Sequence, residues 1–292
     1  MQALFGQLLI GLINGAFYAL LSLGLAVIFG LLNIINFTHG AQYMLGAFCA
    51  WYLLQSGHIG DFHFGYWSSL IIAPIVVGAF GVLIERTMLK RLYKLDHLYG
   101  LLLTFGLALV IQGVFRNEFG SSGLPYETPS ALTGGVNLGF MFLPVYRAWV
   151  IVASLVICLG TWYVIERTKL GSYLRAATEN PALVQAFGIN VPLMVTLTFG
   201  FGVALAALAG VMAAPIYQVN PLMGADLIIV VFAVVVIGGM GSIMGAILTG
   251  FGLGVIEGLT KYFYPEASTT VVFVIMVIVL MIKPTGLFGQ EA

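Results

Sequence analysis

The sequence predicts an all-α integral membrane protein, and two observations carry that prediction. The 292 residues are 61% hydrophobic and only 8% charged, against about 25% charged in an ordinary soluble domain. Apolar runs also recur along the whole chain, most of them within the roughly 17–25 residues that a helix needs to cross hydrocarbon. Surface of this kind requires lipid as its solvent, and in lipid a backbone satisfies its polar groups only as helices or a closed barrel. The formal net charge is zero, which leaves no basic surface for nucleic acid.

Taken in order, the apolar runs fall at 7–30, 39–56, 66–86, 98–116, 147–165, 193–215, 225–240, 243–263 and 268–282. About eight or nine transmembrane helices are therefore expected, in a single domain covering 1–292. The runs 39–56, 225–240 and 268–282 are short, so some helices are expected to be broken or half-inserted. Residues 1–6 carry no basic charge and the first run is too long for a cleaved signal, so no signal peptide is expected. Cys49 and Cys158 sit inside apolar runs and read as small hydrophobes.

Orientation follows from the basic residues. Arg86, Lys90, Arg91 and Lys94 cluster in one loop, and Arg167, Lys169 and Arg175 in another two crossings later. Both loops are assigned to the cytoplasm. The polar loop at about 117–146 is then external, as is the N-terminus, and the C-terminus is cytoplasmic. The helices 7–30 and 193–215 run in opposite directions, and each is followed by an interrupted apolar region. That is the pattern of an inverted-topology repeat with broken helices near the midplane, although no residue-level repeat is evident. Small residues recur every fourth position at Gly11, Gly15, Ala19, at Gly202, Ala206, Gly210, Ala214, and at Ala246, Gly250, Gly254, Gly258. Each set shares one helix face, where backbones can approach closely.

Several chemistries are absent. None of the five lysines follows a glycine, so there is no phosphate-binding loop of the G-K-[ST] type; no histidine precedes glutamate; and no G-x-S-x-G elbow occurs. An enzyme is not expected, nor is a cofactor or metal site. The ionisable candidates inside the membrane are His39, Asp226 and Glu257, a thin set for an ion-coupled secondary transporter. Asp226 reads as a helix N-cap, Glu257 as reaching the headgroups, and His39 as a hydrogen-bonded packing residue.

Three stretches are more informative. NIINFTHGAQYMLG at 33–46 places polar side chains between two apolar runs, with Thr38 as a plausible N-cap. LGSYLRAATENPALVQAFGINV at 170–191 lies within the cytoplasmic loop at about 166–192. There Asn180 as cap and Pro181 at the first helical position predict a short helix ending at Gly188. Its apolar Leu183, Val184 and Phe187 suit docking against a partner. GGMGSIMG at 238–245 interrupts an apolar helix.

These segments, with AFYALL at 16–21 and PTGLFG at 284–289, closely resemble the permeases of branched-chain (hydrophobic) amino-acid ABC importers. They are most like the first of the two paired permeases. The family often has an acidic residue after the His-Gly pair, where this chain has Ala41. The resemblance implies a bacterial inner-membrane subunit forming half of a pore. Its expected partners are a second related permease, two cytoplasmic ATPase subunits that bind the ATP, and an extracytoplasmic substrate-binding protein. It also implies that the cytoplasmic loop couples the ATPases to the pore through Gly171, Arg175, Ala176, Glu179, Asn180, Pro181 and Gly188, with Arg175 and Glu179 spaced to pair with each other or with an ATPase. Alternating access would then rock the inverted halves around a path lined by Asn36, Thr38, His39, Gln42, Gly239, Gly241 and Ser242. Related systems carry hydrophobic amino acids, and similar permeases serve urea, amides or aromatic acids.

Overall fold

The computed structural model describes residues 2–32, 35–59, 62–93, 95–139 and 141–289. Asn33 and Ile34 of the polar motif and Lys94 of the basic loop lie outside the described residues. Nine apolar helices coincide with the nine apolar runs: α1 (Gln2–Leu32), α2 (Thr38–Ser56), α3 (Tyr66–Thr87), α4 (His97–Phe119), α5 (Val145–Arg167), then α8 (Val191–Tyr217), α9 (Ala225–Gly238), α10 (Ile243–Phe263) and α11 (Val271–Ile282). Between α5 and α8 lie the amphipathic α6 (Lys169–Glu179) and the short α7 (Pro181–Ala186). Six helices (α1, α3, α4, α5, α8 and α10) are long and apolar enough to cross a bilayer; α9 and α11 are apolar but shorter.

The polar loop after α4 is structured. It holds a small hairpin of Gly135–Asn137 with Phe142–Pro144, and Leu124 pairs with Val219 through two backbone hydrogen bonds of 2.8 and 2.9 Å. The loop is thereby tied to the turn between α8 and α9.

The helices pack as two interlocked halves. α1 pairs antiparallel with α10, and α3 pairs antiparallel with α8. Exchanging α1 with α8, α2 with α9, α3 with α10 and α4 with α11 maps these contacts onto each other. The same exchange relates α2–α8 to α9–α1, α2–α3 to α9–α10, and α2–α4 to α9–α11. On the implied two-fold axis, α1 crosses α8 with Gly24 and Gly202 backbone against backbone, and Gly40 of α2 meets Gly224 ahead of α9. This is the inverted repeat expected from the topology.

The small-residue stripes are its seams. Gly11 and Gly15 lie against Gly254, Gly258 and Phe251, Gly250 lies against Ala19, and Gly46 and Gly210 bring α2 against α8. None of these glycines leaves room for a β-carbon. Small residues are what dispersion-driven association in lipid requires, because lipid tails supply no hydrophobic push between helices. Outside the seams the halves differ. α10 touches α11, whereas α3 and α4 are parted by an apolar cleft of about 640 Å³ walled by residues such as Phe48, Phe80 and Phe115.

Two local expectations are corrected. Thr38 is not the N-cap of α2; that position is Phe37, and the Thr38 hydroxyl instead reaches across to α4. Asp226 does not cap α9 but sits in its first turn after Gly224, where its charge suits the positive end of the helix dipole. Asn180 does cap α7, accepting a hydrogen bond of 3.0 Å from the Leu183 amide, with Pro181 at the first position and Gly188 at a φ of 83° beyond the end.

The seams give a paired prediction. Gly254→Ala should destabilise the chain by about 1–3 kcal/mol through overpacking, read as a lower Tm in detergent. Gly252→Ala, on the same helix but facing open space, should be neutral or slightly stabilising. Equal behaviour of the two variants would show that the seam is not a packing constraint.

Candidate functional site

The first half of the expected path comes together as a closed cluster. Asn36, Thr38, His39 and Gln42 are all buried. Asn36 Nδ2 donates to Gln42 Oε1 at 3.0 Å. The Thr38 hydroxyl donates to the Thr104 carbonyl at 2.9 Å, and the Thr104 hydroxyl donates to the Ile35 carbonyl at 3.2 Å while accepting from the Phe37 amide. These bonds hold the non-helical 35–37 segment against α4, as buried irregular backbone in a membrane requires. His39 Nε2 lies 3.0 Å from the Leu21 carbonyl, deep in α1. A carbonyl only accepts, so Nε2 carries the proton. His39 is thus the hydrogen-bonded packing residue the sequence suggests. Asn36 Oδ1 and the Tyr43 hydroxyl have no hydrogen-bond partner among the described residues.

Gly239, Gly241 and Ser242 lie elsewhere. Gly241 packs on Gly30, near the end of α1 and about 9 Å further along that helix than Gly24, which touches His39. The 238–242 loop seats the C-terminal turn. Leu287 and Phe288 amides donate to the Ile237 and Gly238 carbonyls at 2.8 and 3.1 Å, with Gly286 against Gly239, whose φ of 101° suits glycine alone. Ser242 caps α10 by accepting from the Gly245 amide at 3.0 Å. The interruption that faces 36–42 is therefore 218–224, not 238–242. The glycines mark a tight turn between two helices, and nothing in their composition separates that from a break inside the membrane.

The residues expected to couple form one unit. Gly171 sits against the Ile165 carbonyl with no space for a side chain, so α6 folds back on the end of α5. Arg175 locks that corner, donating to the Ile165 carbonyl at 2.8 Å and lying 3.4 Å from Glu166. The expected Arg175–Glu179 pair is not formed: the folded-back corner offers Arg175 a carbonyl and a carboxylate together, and Glu179 is left exposed. Ala176, Asn180 and Pro181 are also exposed, as are the apolar Leu183 and Phe187. The unit thus presents a mixed, partly apolar face outward.

Of two buried carboxylates, Glu85 escaped the sequence reading and Glu257 was placed at the headgroups by it. Glu85 on α3 accepts from the Thr196 hydroxyl at 2.7 Å and from the Tyr93 hydroxyl at 2.6 Å. Burial, and then the adjoining carboxylate, push the Tyr93 phenol well above its ordinary value, which keeps it a donor. Glu257 on α10 accepts from the Tyr18 hydroxyl at 2.7 Å and has Lys261 at 3.8 Å; it is buried and does not reach the headgroups. The two sites are counterparts in the repeat, each joining α3 or α10 to α8 or α1. The signal was present as Gly78 followed at 84–85 by Ile-Glu, and Gly250 followed at 256–257 by the same pair. Tyr18 likewise precedes Gly24 by the spacing at which Thr196 precedes Gly202.

Fold and sites together define a multi-pass membrane permease component. A family model described as the permease component of branched-chain amino acid transport systems matches residues 7–281. The high-affinity branched-chain amino acid transport system permease protein BraD of Pseudomonas aeruginosa is 31% identical, the alignment covering 97% of this chain and 95% of that protein. LivH of Salmonella typhimurium, with the same description, is 29% identical at the same coverage. A probable LivH of Methanocaldococcus jannaschii is 29% identical over 93% of this chain and 88% of its own length. The chain belongs to the branched-chain amino acid transport permease family.

The carboxylates yield a testable consequence. Tyr18→Phe and Thr196→Val each remove one donor from a buried carboxylate, which costs about 1–3 kcal/mol. Both variants should lower Tm by similar amounts. An unchanged Tm in both would mean that these bonds do not hold the seams.

Proposed function

We propose that this chain is one permease subunit of a bacterial inner-membrane ABC importer for branched-chain or related hydrophobic amino acids. The family match along nearly the whole chain carries this reading. Under it, a second related permease completes the pore, two cytoplasmic ATPase subunits supply the energy, and an extracytoplasmic binding protein delivers the substrate. The family match weighs against urea, amides or aromatic acids as the principal substrate, and against an ion-coupled carrier acting alone.

The α6–α7 unit is the proposed docking element for an ATPase, through Leu183, Phe187 and the exposed Ala176, Glu179, Asn180 and Pro181. Gly171 and Arg175 fix that unit to α5, and Gly188 turns the chain into α8. A push on α7 is therefore delivered to α5 and, through its packing on α1, to the centre of the chain. Because the halves are interlocked through backbone-to-backbone seams, we favour movement of the chain as a body against its partner permease over rocking of one half against the other. The cluster of Asn36, Thr38, His39 and Gln42, and the turn of Gly239, Gly241 and Ser242, remain the proposed polar points along the path.

Reconstituting the complete importer with Arg175→Ala and Glu179→Ala in this chain tests the coupling. ATP hydrolysis should persist and the subunits should co-purify, while uptake of labelled leucine falls at least about tenfold, a barrier change of about 1.4 kcal/mol or more. Unchanged uptake per ATP hydrolysed would sink the assignment.

A further inference from the structure

The loop side of Glu85 carries a site that the transport reading does not use. Arg86 and Lys90, with Asn190, Pro192, Leu193 and Thr196, line a polar cleft of about 330 Å³ between the end of α3 and the start of α8. Both cations are exposed, and neither has a carboxylate within ion-pair distance among the described residues. Glu85 lies beneath the cleft, with its two oxygens engaged by Thr196 and Tyr93. The N-terminus of the 27-residue α8 opens on the same space and adds partial positive charge.

What continues from the cleft is apolar. Leu193, Leu197 and Phe201 recur every fourth residue along α8 and are all exposed, so they form one outward stripe. Ile75 and Leu83 are exposed on the neighbouring α3. Between these exposed residues the two helices meet closely at Gly78 and Gly200, with Val82 filling the space beside Gly200. A cationic pocket with an exposed apolar helix stripe running on from it has the chemistry to hold an amphiphile with an anionic head.

We propose that this cleft binds the phosphate-bearing headgroup of an anionic phospholipid from the leaflet on the basic-loop side, with one acyl chain lying along the exposed Leu193, Leu197 and Phe201 stripe of α8. The two-fold counterpart supports the distinction. At Glu257, among the described residues, the cation within ion-pair distance is Lys261, and it is occupied by the carboxylate itself. The repeat therefore keeps a buried acid at both positions, while a pair of exposed cations without a carboxylate partner among the described residues accompanies Glu85 and not Glu257.

The test uses the full chain, purified with its co-purifying subunits, in nanodiscs of phosphatidylcholine alone or mixed with phosphatidylglycerol. Phosphatidylglycerol should raise Tm by about 3 °C or more. Arg86→Gln with Lys90→Gln should remove most of that rise; the charge-keeping pair Arg86→Lys with Lys90→Arg, and Arg91→Gln outside the cleft, should retain it. Native mass spectrometry of the unsubstituted protein should show phosphatidylglycerol retained in preference to phosphatidylcholine, a readout that does not depend on any variant folding. No preference, an equal rise in the Gln pair, or the same rise from inorganic phosphate in phosphatidylcholine discs would overturn the proposal. So would loss of partner subunits from the Gln pair with the lipid response intact, which would assign the cations to a protein contact.

Discussion

Backbone-to-backbone contact at the glycine seams is the constraint on which the rest of this structure depends. Within hydrocarbon, helices gain nothing by hiding apolar side chains from lipid, so association rests on dispersion between closely fitted surfaces and on a few polar contacts. Gly11, Gly15 and Gly254 on one seam, and Gly24 with Gly202 on the axis, bring main chains together where any side chain would hold them apart. The consequence is topological. α1 belongs to the first half by sequence but is seamed to α10 of the second, and α8 is seamed to α3 of the first. Each half is completed by a helix from the other, so separating them would expose four helix faces at once.

The buried carboxylates follow from the same geometry. An ionisable group in a membrane helix is costly unless it is paired or hydrogen-bonded. Here each one stands beside a seam, close enough for a hydroxyl on the facing helix to reach it: Thr196 to Glu85, and Tyr18 to Glu257. A small residue one turn or two away permits the approach, and the carboxylate then gives that approach a register. Glycine alone would allow the helices to slide along one another, and the hydrogen bond selects one position.

Legibility in the sequence divides along physical lines. The spans were legible because hydrophobic length is a one-dimensional property, and the nine apolar runs became nine helices. The α7 start was legible because Asn180 and Pro181 act on their own neighbours. Arg175 was not, because its partners, the Ile165 carbonyl and Glu166, come near only when α6 folds back. Thr38 failed for the same reason, its hydroxyl being drawn to Thr104 on α4. Glu85 was hidden differently. It stands beside Arg86 in a basic loop and looks like a surface residue, and the short repeat around it becomes visible only when α3 is superposed on α10. The glycines at 238–242 left two readings open because a turn between helices and a break within one have the same composition.

The interlocked halves also bear on how force can pass through the chain. A hinge needs a boundary crossed by few contacts, and the boundary between these halves is crossed by the densest packing in the structure. The α6–α7 unit, by contrast, joins the bundle through lighter contacts: the Gly171 and Arg175 corner on α5, α6 on α1, and α7 on α8. A displacement applied to α7 would pass to α8 directly and to α5 through that corner. Beyond it, α5 packs on α1, and α1 contacts both α8 and α10. Movement entering at the corner is thus shared at once by both halves. A chain built this way suits a subunit that moves as one body against a separate partner, with its own interior kept fixed by the seams.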